Sequence, residues 1–453
     1  MDLAKHSASL SRMSFQPQSL RLRFGGESIV RKSYMLRGII GLAALSLCST
    51  LPAAAFMPAI TITPVPYTLY GRQPLTLQGS VSRMCDNKAV QISQGDSSKW
   101  TPVGKATVNS QRRWQLVTRV PNSVNRVIYR ADCGAQYSAT MLRHIQKTVV
   151  LGTTGPGNRI LGLDISRWQH IKGQTINFEH MANTGVSFVI IKASDGNWTE
   201  DAIARMYARS DVPRIKAAGL FVGYYHMVTV PTGNARSVLV ASAHRQANLI
   251  YTRLKELGGY TIRTLPYTID VEGINSSISQ ASLRLWTTTL VNDLVKSTHR
   301  PPMLYSYRSL LATRFARSPE TIAFLRTMHL WLAQPGNPSD PKVWVGQYGA
   351  SPNACFHTAW ATSNCRTVWT FWQYTSLGNR DTYGIPWSPV RGKNCPSQAK
   401  YCVPGTGTGP LHLDMDVFNG QPAEFEALAA GTWQRRPTDY LEPTTSPSPS
   451  GTP

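Results

Sequence analysis

The chain has 453 residues, more than one ordinary domain needs, and 42% of them are hydrophobic, with 12 Trp. That excludes a wholly disordered protein and leaves room for at least one large core. The formal charge of +23 draws polyanions and speeds encounter with them. The basic residues are scattered and no nucleic-acid motif accompanies them, so the expected partner is an anionic cell envelope and not nucleic acid; a role in solubility alone is the plain alternative.

Residues 1–55 read as a basic leader and export signal. Arg31, Lys32 and Arg37 precede an apolar run from Gly38 to Leu51, and Ala53, Ala54 and Ala55 offer small residues for cleavage. The run is shorter than the roughly 20 apolar residues of a membrane span. No stable span is therefore expected after cleavage, with a retained anchor as the alternative and Met35 as a candidate start. Cys48 falls inside the signal, behind a Leu47 too bulky for a lipoprotein site. Removing it leaves six of the seven cysteines, and an even number in an exported chain predicts disulfides. They group as Cys85 with Cys133, Cys355 with Cys365, and Cys395 with Cys402. Metal ligation is the alternative, but no zinc-like spacing supports it. The expected location is secreted, or periplasmic and envelope-associated.

Residues 57–145 carry short alternating runs (Leu75–Gly79, Ala89–Ile92, Trp114–Val117, Val127–Arg130) separated by Gly, Asn, Asp and Ser. This spacing predicts a small all-β sandwich, loosely similar to the immunoglobulin-like modules of many exported enzymes. Residues 146–158, with Gly152, Gly155 and Gly157, read as a flexible linker. Residues 433–453 are a Pro/Ser/Thr-rich tail without apolar periodicity, expected to be disordered.

Residues 159–432 hold eight apolar runs in order: Ile160–Ile165, Phe188–Ala193, Phe221–Met227, Leu265–Glu272, Met303–Tyr307, His329–Gln334, Val368–Tyr374 and Leu411–Val417. Between the early runs, residues 201–218, 235–257 and 280–298 have helical periodicity, and Gly219 reads as a stop. After the sixth run the helices become short or vanish. The pattern predicts an α/β chain whose main domain is a TIM-like barrel with an irregular last third, its active residues at the C-terminal ends of strands.

Charges fall where that architecture needs them. Asp270 and Glu272 are two residues apart on one expected strand, so both should face the barrel mouth with Cα atoms roughly 6.5–7 Å apart. Close carboxylates push one pKa up, which keeps a proton available near neutral pH. Glycoside cleavage needs an acid for the leaving oxygen and a carboxylate for the developing positive charge; cation binding or structural salt bridges are the alternatives. Asp164 and Asp414 end the first and eighth runs, and barrel closure should set them side by side. Asp416 reads as a loop cap and His226 as a hydrogen-bonded core residue.

The ordered motifs Asp164-Ile165-Ser166 with Trp168-Gln169, Phe188–Ala193, Gly223-Tyr224-Tyr225-His226, Asp270-Val271-Glu272, Trp331-Leu332-Ala333, Phe371-Trp372-Gln373-Tyr374 and Asp414-Met415-Asp416 resemble those of glycoside hydrolase family 25, the Chalaropsis-type lysozymes. The resemblance covers about residues 159–432. It implies a (β/α)5(β)3 barrel that hydrolyses the β-1,4 bond between N-acetylmuramic acid and N-acetylglucosamine in peptidoglycan, with retention and no cofactor. It also implies that Glu272 is the proton donor and that Asp270 is a nucleophile or a guide for the substrate's acetamido group. Asp164 and Asp414 would then tune the pair. Tyr225, Trp331, Trp372 and Tyr374 are candidates to line the cleft, since flat rings bury the C–H faces of sugars. Lys192 is a candidate for the acidic part of the substrate, or for a salt bridge with Asp164 or Asp195. The chain departs from the family at Asp195, Met227, Asp416, where Asn is common, and in an enlarged segment 350–410. A non-catalytic envelope-binding protein and a glycosidase for chitin-like glycans remain as competing readings.

Overall fold

The structure is a computed structural model. It describes residues 58–95, 99–122, 125–170, 174–315, 318–334, 359–361, 368–376, 378–387 and 413–433. The leader, the pairings Cys355–Cys365 and Cys395–Cys402, more than half of the enlarged segment and nearly all of the tail lie outside the described residues. No described helix is long and apolar enough to cross a membrane.

The first part is all strand: β1 (Thr68–Tyr70), β2 (Pro74–Ser80), β3 (Val90–Gly95), β4 (Trp100–Ala106), β5 (Arg113–Arg119), β6 (Arg126–Cys133), β7 (Gln136–Tyr137) and β8 (Met141–Gln146). One sheet runs β1-β8-β6-β3-β4 with β7 on β6, and β2 pairs with β5 in a second. The alternation in β2 and β6 turns every other residue inward. Leu75, Leu77, Trp114, Ile92, Tyr129 and Ile145 thus meet in one core between the sheets. Cys85 and Cys133 are bridged at a Cα separation of 5.8 Å.

The stretch read as a flexible linker is held in place. Val149 N–H donates to the Gly219 carbonyl at 2.9 Å, and Gly155 and Arg159 exchange backbone hydrogen bonds. The Thr154 hydroxyl donates to the Gly185 carbonyl at 2.9 Å. Its glycines serve close packing as much as freedom: a Cβ on Gly155 would come within 2.9 Å of Val417.

The second part is a closed barrel of β9 (Ile160–Ile165), β10 (Phe188–Asp195), β11 (Phe221–Met227), β12 (Thr268–Asp270), β13 (Met303–Tyr307), β14 (His329–Ala333), β15 (Phe371–Thr375) and β16 (Asp414–Phe418). Helices α1 (Phe178–Asn183), α2 (Trp198–Ala217), α3 (Arg236–Glu256), α4 (Gln280–Thr298), α5 (Pro319–Leu325) and α6 (Pro422–Ala430) surround it. Gly219, at φ +82°, stops α2 as a left-handed position that a side chain would strain. Strands β9 to β15 are parallel, but β16 is antiparallel to both β15 and β9.

Strand parity divides the barrel residues into two sets. Leu163, Ile191, Val222, Ile269, Leu304, Leu332 and Val417 face the helices and share a core with Val212, Ile250 and Trp286. Phe188, Phe221, Phe371 and Phe418 face inward at the opposite end from the carboxylates. There Phe425 of α6 inserts among them, with ring centroids 4.9–6.2 Å away. Gly162 makes room for this packing, because a Cβ there would meet the Phe188 ring at 2.2 Å. One end of the barrel is thereby plugged with aromatic side chains, and polar groups gather at the other.

Candidate active site

Parity places Asp164 on the inner face of β9, following Ile160 and Gly162. Register places Asp414 opposite Asp164 and Asp416 opposite both Gly162 and Gln373. The juxtaposition of Asp164 and Asp414 is as expected, for a different reason. Asp414 is the first residue of β16, not the last, and the reversed direction of that strand carries it to the mouth.

Asp270 ends β12, opposite Tyr305 of β13. Glu272 is not on the strand: β12 stops at Asp270, and Val271 makes one more hydrogen bond, to the Tyr305 carbonyl, before the chain leaves the barrel. Glu272 nevertheless acts on the same space, since it is the charge that most strongly repels Asp270. Tyr305 ties the set together: burial, then Glu272, Asp270, Asp164 and Asp414, all raise its phenol pKa far above the usual value. All four expected carboxylates therefore converge on one place.

Their protonation follows from depth. Asp270 is 5% exposed while Glu272 is half-buried. Burial first, and repulsion by Glu272 second, hold the Asp270 carboxyl well above the carboxylate range, against the opposing Lys192. The resemblance puts the retained proton on Glu272; the deeper Asp270 has the stronger claim to one. Asp270 Oδ1 is buried and has no hydrogen-bond partner among the described residues. Lys192 pairs with Asp195 at 2.6 Å, which is the salt-bridge alternative, while its charge still reaches Asp270.

A hydrogen-bonded layer lies beneath. Tyr305 Oη donates to Gln373 Oε1 at 3.0 Å, and Gln373 Nε2 donates to Asp164 Oδ2 at 2.9 Å. Trp331 Nε1 donates to Asp416 Oδ1 at 2.7 Å. Asp416 is fully buried inside the barrel, so it is no loop cap. Trp331 is only 2% exposed, with its ring against Tyr305 and Tyr225 at 4.6 and 6.3 Å. It forms the floor of the site and not an open cleft wall.

Two proposed cleft aromatics are misplaced. Trp372 and Tyr374 have the parity opposite to Phe371 and Gln373, and belong to the core between barrel and helices. Tyr225 does reach the mouth; its hydroxyl meets the Ser166 side chain, and burial with Asp164, Asp270 and Asp414 raises its pKa. His226 is a core residue as expected, bonded to Ser194 and Gln246 at 2.9 Å each, and burial lowers its pKa to about 4. Gln373, Tyr305 and Ser166 were missed. Parity from Phe371 and Met303 was the available signal for the first two.

Residues 163–382 match the family described as Glycosyl hydrolases family 25. Residues 163–382 are thereby a family 25 glycoside hydrolase domain. Solved structures similar to it include a muramidase from Trichobolus zukalii and a family GH25 lysozyme from Aspergillus fumigatus. Each is 23% identical, with 60% of this chain and 99% of that one covered, at a TM-score of 0.38. A muramidase from Acremonium alcalophilum is 22% identical, with 60% and 100% covered, also at 0.38. No curated protein matches the chain. The family 25 match takes in Asp164, Asp270, Glu272 and Gln373 but ends at residue 382, before β16. The strand that closes the barrel and supplies Asp414 and Asp416 comes from the fold.

Proposed function

We propose that this chain is an exported lysozyme that hydrolyses the β-1,4 bond between N-acetylmuramic acid and N-acetylglucosamine in peptidoglycan, with retention of configuration. The observation that carries the reading is the Asp270–Glu272 pair at the unplugged barrel end: one carboxyl deep with a bare acceptor oxygen, the other shallow and beside it. A 2-acetamido sugar offers an amide N–H, and donation to Asp270 Oδ1 favours the ionised aspartate. Because the two groups titrate as a pair, the proton then moves to Glu272, within reach of the leaving oxygen. Glu272 protonates that oxygen. Asp270 supports the charge developing at the ring, either as nucleophile or by orienting the acetamido oxygen to attack. Asp164, Asp414 and Tyr225 hold the sugar, and Lys192 keeps Asp270 from being permanently neutral. Export fits the Cys85–Cys133 bridge, which persists in oxidising compartments, and the leader of residues 1–55.

Digestion of purified peptidoglycan followed by mass spectrometry tests the reading. The expected products carry N-acetylmuramic acid at the reducing end. Products ending in N-acetylglucosamine would make it a glucosaminidase, cleavage of chitin oligomers alone a chitin-directed enzyme, and binding without products an envelope-binding protein.

A further inference from the structure

The two-sheet part of the chain carries a charge that the proposed reaction does not use. Residues 58–148 hold twelve Lys and Arg against three Asp and no Glu, and one of those acids, Asp86, is taken by Arg112 at 2.9 Å. On β6, parity turns Val127, Tyr129 and Ala131 into the core and Arg126, Ile128, Arg130 and Asp132 to the outer face of the larger sheet. There the Arg130 guanidinium lies over the Trp100 ring at 4.2 Å and over the Tyr137 ring at 4.4 Å, so two aromatic faces clamp one cation. Its partner across β3, Ser93, is buried although it shares this face. Arg130 Nε is buried with no acceptor among the described residues. Its one ion pair among them, with Asp132, is stretched to 4.0 Å, beyond hydrogen-bond length. A guanidinium held rigid with an unsatisfied N–H is a fork set for an outside carboxylate. On the same face, by register, stand Leu142 and Lys105. Tyr137 and Leu142 are 55% and 41% exposed, and Arg126 and Lys105 are exposed as well.

We propose that this face is a second binding site, for a carboxylated glycan: a peptidoglycan strand with its lactyl and peptide carboxylates. Rings and apolar side chains suit the C–H faces of sugars, while the clamped guanidinium and its flanking cations suit carboxylates. A polymer that offers both uses the whole face, whereas a bare polyanion would use the cations alone. The choice of polymer rests on the proposed function; the face itself does not. The site is also remote from the chemistry. Gln146 Nε2 donates to the Lys216 carbonyl at 3.3 Å and Val149 N–H to the Gly219 carbonyl at 2.9 Å. The two-sheet part thus meets the barrel between α2 and the start of β11, at the plugged end. A strand held on this face leaves the carboxylate mouth open.

Sedimentation of the full-length protein with insoluble purified peptidoglycan tests this, on the Glu272→Gln background so that the wall is not consumed. Adding Arg130→Gln should weaken binding roughly tenfold, the worth of a charge-assisted hydrogen bond. If Arg130→Gln does not fold, the exposed pair Lys105→Gln with Arg126→Gln removes two charges from the same face and should weaken binding about threefold or more. The matched pair Arg113→Gln with Arg119→Gln, exposed on β5 of the other sheet, should leave it within about a factor of two. Equal losses from the two pairs would show diffuse attraction and overturn the proposal. So would undiminished binding to peptidoglycan whose carboxyl groups have been converted to neutral amides. Binding needs no turnover, so the two readings fail separately. Wall binding that depends on this face, without products from the wild-type protein, would count against the proposed function alone. Products from the wild type, with a wall affinity indifferent to these substitutions, would count against the second site alone.

Discussion

Among individual residues, Asp270 and Glu272 divide their work by depth under the proposed function, and that division predicts two different mutant phenotypes. Glu272→Gln keeps the volume and removes the transferable proton. Turnover should fall by several powers of ten with an unchanged melting temperature, since general acid catalysis alone contributes about 10²–10⁴-fold and leaving-group expulsion depends on it further. Near-normal activity would take Glu272 out of the mechanism. Asp270→Asn should make the protein more stable. The Asp270 pKa is raised above its unfolded value near 3.9, so the native state holds more protons across the window between the two values. Stability therefore declines as pH rises through that window. The amide is exempt from that decline. Its advantage should be near zero at pH 4 and grow as the pH rises towards neutrality. Denaturant melts at the two pH values check this; an equal difference at both would show that the aspartate's charge is not the cause.

At the scale of strands, what the sequence disclosed and what it hid have a common origin. Apolar runs ending in polar residues reveal buried strands, and all eight barrel strands lie within or beside the expected runs. Helices α2, α3 and α4 match the expected 201–218, 235–257 and 280–298 to within a few residues. Direction and parity are less legible. Nothing local in Leu413–Phe418 says that β16 runs backwards, because direction is imposed by what lies on either side. Parity in Phe371–Thr375 is visible only once Phe371 is known to face the interior, because the strand is buried throughout and carries aromatic residues on both faces. A glycine was the hidden clue to the interior: Gly162 shares its face with Asp164 and leaves space for Phe188. Gly162→Ala should therefore cost roughly 1–3 kcal/mol by overpacking, read as a lower denaturation midpoint, and a neutral effect would mean that the Phe188 ring is free to move aside.

For the whole molecule, charge is distributed in a way that separates chemistry from capture. The chain has 47 Lys and Arg against 24 Asp and Glu, so even complete pairing leaves 23 cations over. The acids are also not all available to the surface. Asp164, Asp270 and Asp416 are withdrawn into the barrel, where burial favours their neutral forms, and Asp201 is enclosed against Arg253 at 3.0 Å. Glu256 alone is shared by Arg205, Arg209 and Arg253. Among the described residues, the neutral buried acids leave the balance of charge more positive than a count of acidic side chains gives, while the site itself is lined by acids. Under the proposed function, long-range attraction to an anionic wall comes from the exterior and is screened by salt, with a Debye length of about 10 Å at 0.1 M and 3 Å at 1 M. The local pair at Asp270 and Glu272 sits at short range in a partly enclosed space, where salt screens little. Raising ionic strength across that range should weaken sedimentation of the intact protein with insoluble peptidoglycan by tenfold or more and raise the apparent KM on it. kcat on a short, uncharged soluble oligosaccharide should stay within a factor of two. If the soluble substrate lost turnover in parallel, the excess cations would have to act at the cleft itself, and capture and chemistry would not be separable in this molecule.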